Sequence, residues 1–173
     1  MVKKTVSIQN NVYKFGCRLT ILLLFFRLLY ILRPHYFIMV KNTLGSLKVL
    51  LAEDNEINKL IAKTMLNRWG FTTILAPDGA EAVSLVEEND FDCVLMDIHM
   101  PNKDGIAATR EIRQMSNPAK SSLPIIALTA NTQIGINDKY LELGMDGYLS
   151  KPFKEEELYN LITIVLEKRK NIS

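Results

Sequence analysis

Cysteine and histidine are nearly missing from this 173-residue chain, which has two of each. Cys17 lies in an unusual N-terminal stretch and Cys93 inside an apolar run, so the pair does not make a disulfide framework. Reduced thiols in the cytosol are the simpler expectation. His35 and His99 stand alone, with no helical phosphotransfer pattern around either, so neither is expected to carry a phosphohistidine. The His99 side chain is expected to rim a pocket. A charge excess of one sign is lacking too: the formal net charge is +2. That small value hides an asymmetry. Residues 1–40 hold six basic residues (Lys3, Lys4, Lys14, Arg18, Arg27 and Arg33) and no acid, while the rest holds 15 basic and 19 acidic residues. A mildly acidic body offers no electrostatic footprint for nucleic acid, and none is expected as a partner.

A long hydrophobic run is also missing. The most apolar stretch, Leu19 to Leu32, has fourteen residues. As a helix it spans roughly 21 Å, short of a hydrocarbon core of about 30 Å. Arg27 in its middle costs about +2.5 to +3.5 kcal/mol on an insertion scale, against about −0.3 to −0.6 for each Leu, Ile and Phe, so insertion is marginal. Basic residues lie on both sides, which gives no orientation, and no small-residue cleavage site follows. Two readings of residues 1–40 stay open. Translation begins at Met39, a few residues before the first strand, or residues 19–32 form a membrane-associating segment. No other membrane contact is expected.

What the chain does have is a series of apolar runs that end in polar, reactive residues. Val49-Leu50-Leu51-Ala52 delivers Glu53-Asp54, and Cys93-Val94-Leu95-Met96 delivers Asp97. Ile125-Ile126-Ala127-Leu128 delivers Thr129, and Gly147-Tyr148-Leu149-Ser150 delivers Lys151. Short apolar runs of this kind read as buried strands. Five strand-like runs alternate with five helical patterns, the signature of a parallel sheet with right-handed crossovers. The predicted helices run over 56–69, 78–89, 105–115 and 132–143, with a fifth after Pro152. Ile57, Leu60, Ile61, Met65, Leu66 and Trp69 are the predicted buried stripe of the first. Asp54 is a candidate cap for that helix, and Asp78-Gly79-Ala80-Glu81 is a capping box for the second. Residues 116–124 are predicted to be a loop, and Gly70 and Gly144 mark helix ends. The fifth helix has Glu155, Glu156 and Glu157 in its first turn and Lys168, Arg169 and Lys170 in its last, which suits the helix dipole. No output domain, helix-turn-helix or kinase nucleotide-binding segment is expected after it. At strand carboxyl ends the three acids, the hydroxyl and the lysine would meet in the crevice where open parallel sheets bind ligands.

The segments LLAEDNEIN, VLMDIHMPNKDG, PIIALTA and GMDGYLSKPF, in this order and spacing, resemble the receiver domain of two-component response regulators. The resemblance covers residues 47–169, and the wording EDNEIN, ALTAN and DGYLSKP is similar to receivers attached to hybrid sensor kinases. It implies a doubly wound, flavodoxin-like α/β fold with a five-stranded parallel sheet and five helices. It also implies a cytoplasmic, magnesium-dependent phosphoacceptor, not an enzyme.

The resemblance implies a role for each strand-end residue. Asp97 is the nucleophile that forms an aspartyl phosphate. Glu53, Asp54 and Asp97, with the backbone carbonyl of His99, hold Mg²⁺, a cation that takes oxygen ligands. Lys151 reaches the phosphoryl group as a point charge, and the Lys151–Pro152 bond is cis in such domains. Thr129 bonds a phosphoryl oxygen beside the amide of Ala130. Tyr148 moves inward as Thr129 moves toward the phosphate, which shifts the surface of the fourth and fifth helices. The expected partners are a sensor histidine kinase or histidine phosphotransfer protein as donor, and a downstream protein on that helix face. Two contexts remain, a free regulator or the detached C-terminal receiver of a hybrid kinase in a phosphorelay. Two other classes compete. A haloacid-dehalogenase-like phosphohydrolase would need a second Asp where His99 stands, and a pseudo-receiver interaction module would lack one of the acids, the Thr or the Lys.

Overall fold

The five apolar runs become five strands in the computed structural model, which describes residues 44–130 and 136–170. They are β1 (Lys48–Ala52), β2 (Thr72–Ala76), β3 (Cys93–Asp97), β4 (Ile125–Thr129) and β5 (Gly147–Ser150). All neighbours pair in parallel, in the order β2-β1-β3-β4-β5. Every residue of β3 and β4 is buried, as befits central strands covered on both faces, which is why their apolar runs are unbroken. From β1 the chain winds outward to β2, then returns past β1 and continues through β3 to β5. The carboxyl ends of β1 and β3 therefore flank the switch point of the sheet, where a crevice opens.

Six helices accompany the sheet among the described residues: α1 (Glu56–Arg68), α2 (Gly79–Glu88), α3 (Gly105–Arg113), α4 (Pro118–Ser121), α5 (Ile136–Glu142) and α6 (Glu155–Lys170). The doubly wound α/β class is as the sequence predicts. Asp78 caps α2 by accepting from the amides of Ala80 and Glu81, and Asp104 caps α3 by accepting from Ala107. Leu50, Val94 and Ile125 pack with Val86, Ile112 and Tyr140 in the core. Trp69 stacks edge-on against Phe71 and Tyr159, and its ring nitrogen donates to Glu155 at 2.9 Å, which ties α1 to α6. Cys93 is free and buried, and burial pushes its thiol up to about 12, so it is inert near neutral pH.

Three predictions need correction. The predicted loop 116–124 contains a single helical turn, α4, because Asn117 caps it and Pro118 takes the first position, where its missing amide costs nothing. Asp54 does not cap α1. Asn55 does, accepting from the amides of Ile57 and Asn58 at 3.0 and 3.1 Å, which leaves the Asp54 carboxylate exposed. The predicted buried stripe of α1 is divided. Leu66 and Trp69 are buried and Met65 is half-buried, but Ile57, Leu60 and Ile61 are 69%, 67% and 47% exposed. The sheet is met instead by Lys59, Ala62, Leu66 and Trp69. At about 100° per residue these four share one arc, while Ile57, Leu60 and Ile61 lie across the helix from them.

Residues 1–40, with the apolar run 19–32 and Met39, lie outside the described residues, as does the predicted start of the fourth helix at Thr132. Among the described residues no helix is long and apolar enough to cross a membrane.

Candidate functional site

The carboxyl ends of β1, β3, β4 and the loop after β5 bring five of the predicted residues to one edge of the sheet. Glu53 follows β1 and is almost fully buried. Its Oε1 accepts from the Asn58 side-chain amide at 3.0 Å and from the Asn55 backbone amide at 3.3 Å. Its Oε2 accepts from Lys151 Nζ at 2.6 Å. Asp97 ends β3 and is also buried, with Oδ2 lying 2.7 Å from the same ammonium group. Its Oδ1 accepts from the His99 backbone amide at 3.3 Å, while the His99 side chain is exposed. Lys151 thus bridges the two buried acids, from a cis peptide bond with Pro152. Two buried carboxylates so close repel each other unless a positive group lies between them, and Lys151 takes that place.

The chain after Asp97 is shaped by one glycine. Gly105 opens α3 directly under the end of β3, and a Cβ there would meet the backbone oxygen of Asp97 at 2.1 Å. Its amide donates to Ile98 at 3.0 Å, so the helix start is pinned against the strand end. Asn102 bends the intervening loop with φ of 60°, and its side-chain amide donates to Asp78 at 2.7 Å.

Asp54 adds a third carboxylate. One oxygen from each of Glu53, Asp54 and Asp97 lies within 4.8 Å of the others. Three oxygen donors of this charge fit a hard divalent cation such as Mg²⁺, which keeps several waters of its own. Beside them Glu53, Asn58, Ile61, Lys151, Pro152 and Phe153 line a cleft of about 150 Å³.

Thr129, at the end of β4, is fully buried, and its hydroxyl lies 3.1 Å from the hydroxyl of Tyr140 on α5. Ala130 is exposed beside it. Tyr148 is not gathered into the cluster and sits at the surface, 36% exposed, in the strand next to β4.

Sequence reading missed Asn58, Tyr140 and the outward face of α1. Asn58 carries a signal, since it follows Glu53 by five residues in the first turn of a helix that begins at the strand end. Tyr140 carries none, because its partner lies eleven residues away in another element. Ile57, Leu60 and Ile61 looked like core because apolarity shows on both sides of the helix.

Residues 49–163 match the family model described as the response regulator receiver domain. The chain is 41% identical over 120 residues to hybrid signal transduction histidine kinase I of Dictyostelium discoideum, covering 66% of this chain and 7% of that protein. It is 40% identical over 116 residues to sensor protein GacS of Pseudomonas syringae pv. syringae, covering 66% of this chain and 13% of that protein. The chain therefore matches only a small part of these relatives' length. Among solved structures it is similar to the receiver domain of sensor histidine kinase PA1611 from Pseudomonas aeruginosa PAO1, a structure with a magnesium ion coordinated in the active site cleft. That likeness has TM-score 0.65 and 40% identity and covers 71% of this chain and 99% of the other. Chemotaxis response regulator CheY4 of Vibrio cholerae matches with TM-score 0.65 and 27% identity, covering 70% and 99%.

Proposed function

Because the chain belongs to the response regulator receiver domain family of two-component systems, we propose that Asp97 accepts a phosphoryl group from a phosphohistidine of a sensor kinase or phosphotransfer protein. The domain doing this spans residues 47–169 and works in the cytoplasm as a switch, with turnover left to its partners. The observation that carries the proposal is the placement of Lys151 Nζ between Asp97 Oδ2 at 2.7 Å and Glu53 Oε2 at 2.6 Å, with Asp54 beside them at the mouth of the crevice.

The chemistry follows from that arrangement. A carboxylate oxygen of Asp97 attacks phosphorus in line with the P–N bond of the donor. The acyl phosphate bond forms, the P–N bond breaks, and the imidazole leaves with a proton from water. Glu53, Asp54, Asp97 and the His99 carbonyl would hold Mg²⁺, which when bound supplies positive charge beside the phosphoryl oxygens. Lys151, already within hydrogen-bond distance of Asp97, follows the charge onto a phosphoryl oxygen and ends its bridge to Glu53. Thr129 donates its hydroxyl proton to another. Tyr148 turns inward into the space Thr129 leaves, and the surface formed by α5, β5 and α6 changes for a downstream protein. The exposed apolar residues of α1 beside the cleft suit a protein donor, because they let it cover the acid cluster and exclude water.

A phosphohydrolase of the haloacid dehalogenase kind is disfavoured, since the position of its general acid holds His99, whose side chain is exposed. The likeness to segments of much longer hybrid kinases favours a phosphorelay setting for the same chemistry.

The test is intact mass after incubation with Mg²⁺ and a small phosphodonor, with and without EDTA, and then with a phosphorylated histidine kinase. A metal-dependent gain of one phosphoryl group, lost in Asp97→Asn, supports the proposal. Undiminished labelling of that variant would move the acceptor elsewhere. No gain from either donor, in folded protein, would make the domain a pseudo-receiver.

A further inference from the structure

Tyr140 is an odd residue to find where it is. It belongs to the short helix α5, is only 4% exposed, and packs in the hydrophobic core. Phenylalanine would fill that space equally well. A buried phenol must find a hydrogen-bond partner, and a hydroxyl left without one costs more than the bond returns. The partner found is the Thr129 hydroxyl, 3.1 Å away and fully buried.

Thr129 is the residue on which the proposed switch depends, and its hydroxyl carries a single proton. A phosphoryl oxygen on Asp97 has lone pairs to offer and no proton, so Thr129 serves it only as a donor and only after turning toward the end of β3. Whichever of the two hydroxyls donates, the bond to Tyr140 holds the Thr129 hydroxyl on the side of α5. In this structure Tyr148 is meanwhile outside, at 36% exposure.

We propose that Tyr140 is a positioning residue for Thr129: its phenol latches the Thr129 hydroxyl against α5 in the unphosphorylated protein, and phosphorylation of Asp97 breaks this bond. The inference rests on the reading of Thr129 as a phosphoryl ligand. Its consequence is that α5 senses the phosphoryl group directly through Tyr140, in addition to the movement of Tyr148 in β5. The latch also sets how readily the switch turns, since forming the phosphorylated arrangement requires giving up one buried hydrogen bond.

Tyr140→Phe keeps the ring and deletes the hydroxyl. The full chain with Mg²⁺ is titrated with beryllofluoride, a mimic of the phosphoryl group, by calorimetry. The expected result is binding about five-fold tighter in Tyr140→Phe, the size of one modest buried hydrogen bond. Tyr140→Leu, which also lacks the hydroxyl, must tighten binding as well. In a Thr129→Val background Tyr140→Phe must have no effect, whereas a general loosening of α5 would act there too.

Weaker binding in Tyr140→Phe would make the phenol a support of the phosphorylated form and overturn the latch. Unchanged binding would reduce Tyr140 to packing. Thr129→Val by itself tests the underlying reading: unchanged beryllofluoride affinity in that variant removes Thr129 from the mechanism, whatever Tyr140 does.

Discussion

The ammonium group of Lys151 stands 2.7 Å from Oδ2 of Asp97 and supplies positive charge to a crevice lined by the carboxylates of Glu53, Asp54 and Asp97. The same nitrogen is shared with Glu53, so one lysine offsets two buried carboxylates while Asp54 remains in solvent. Removing the lysine leaves those carboxylates facing each other in a poorly hydrated site. Lys151→Ala is expected to lower stability by about 2 kcal/mol in EDTA. That is below the cost of breaking a fully enclosed pair, because the lysine side chain keeps some contact with water. Mg²⁺ held at Glu53, Asp54 and Asp97, as proposed, should recover most of the loss. Urea unfolding with EDTA and with millimolar Mg²⁺ checks it. An equal loss in both conditions would mean that the lysine stabilises by packing and not by charge.

Gly105 is fixed by approach distance, since a methyl group there would lie 2.1 Å from the Asp97 backbone oxygen. The backbone of either the strand end or the helix start must move to admit it. Gly105→Ala is therefore expected to cost about 3 kcal/mol, at the upper end for forced overpacking. It should also displace the Asp97 carboxylate, the proposed acceptor, and slow labelling by a small phosphodonor. Thermal unfolding and labelling rate measured on the same sample decide it. A variant as stable and as reactive as the parent would show that the loop from Pro101 to Asp104 absorbs the methyl group freely.

Much of this was legible in the chain, for a definite reason. β3 and β4 are buried on both faces, so each had to be an unbroken apolar run, and the polar residue ending each run had to lie at the crevice. Asp97 and Thr129 were placed by that logic, and Glu53 by the nearly unbroken burial of β1. Lys151 follows β5, expected as a buried strand but an edge strand in which only Gly147 is buried, so its place came from the order of the runs. Periodicity failed on α1, where Ile57, Leu60 and Ile61 form an apolar arc opposite the one the sheet covers. A count of apolar residues cannot say which arc faces inward when both are apolar. It failed again at Asp54, because Asn55 one residue on competes for the same cap and wins. The Asn58 bond to Glu53 and the Tyr140 bond to Thr129 join separate elements, and only the assembled sheet brings them within reach.

Cys93 gives a pH dependence whose sign is fixed by burial. Burial, with Asp92 nearby, pushes its thiol up to about 12 from an ordinary 9.0. Between those values the unfolded chain has released the proton and the native protein has kept it. The native state binds more protons, so stability falls as pH rises through this window. Other groups titrate there as well, and Cys93→Ala isolates the thiol. The stability of the parent relative to Cys93→Ala should shrink by about 1 kcal/mol between pH 9 and pH 10. Urea unfolding of both proteins at the two values measures it. A constant difference would mean that the native thiol ionises as easily as the unfolded one.

The outward face of α1 bears on how a protein donor would reach the acids. Ile57, Leu60 and Ile61 are exposed together at helical spacing, and Ile61 also lines the cleft with Glu53 and Lys151. An apolar patch kept in water at the rim of a charged pocket gains little for folding and suits contact with another surface. A small phosphodonor needs only the cleft, whereas a histidine-bearing protein must lay its own side chains over the rim. Leu60→Gln should leave stability within about 0.5 kcal/mol, since the side chain is already in water. It should leave labelling by acetyl phosphate unchanged, yet slow transfer from a phosphorylated histidine protein by about ten-fold, the loss of one apolar anchor at an interface. Parallel rate measurements with the two donors separate the cases. If both rates fall together, the substitution has disturbed the acids themselves. If neither falls, the donor approaches from another side, and the exposed arc of α1 serves some other contact.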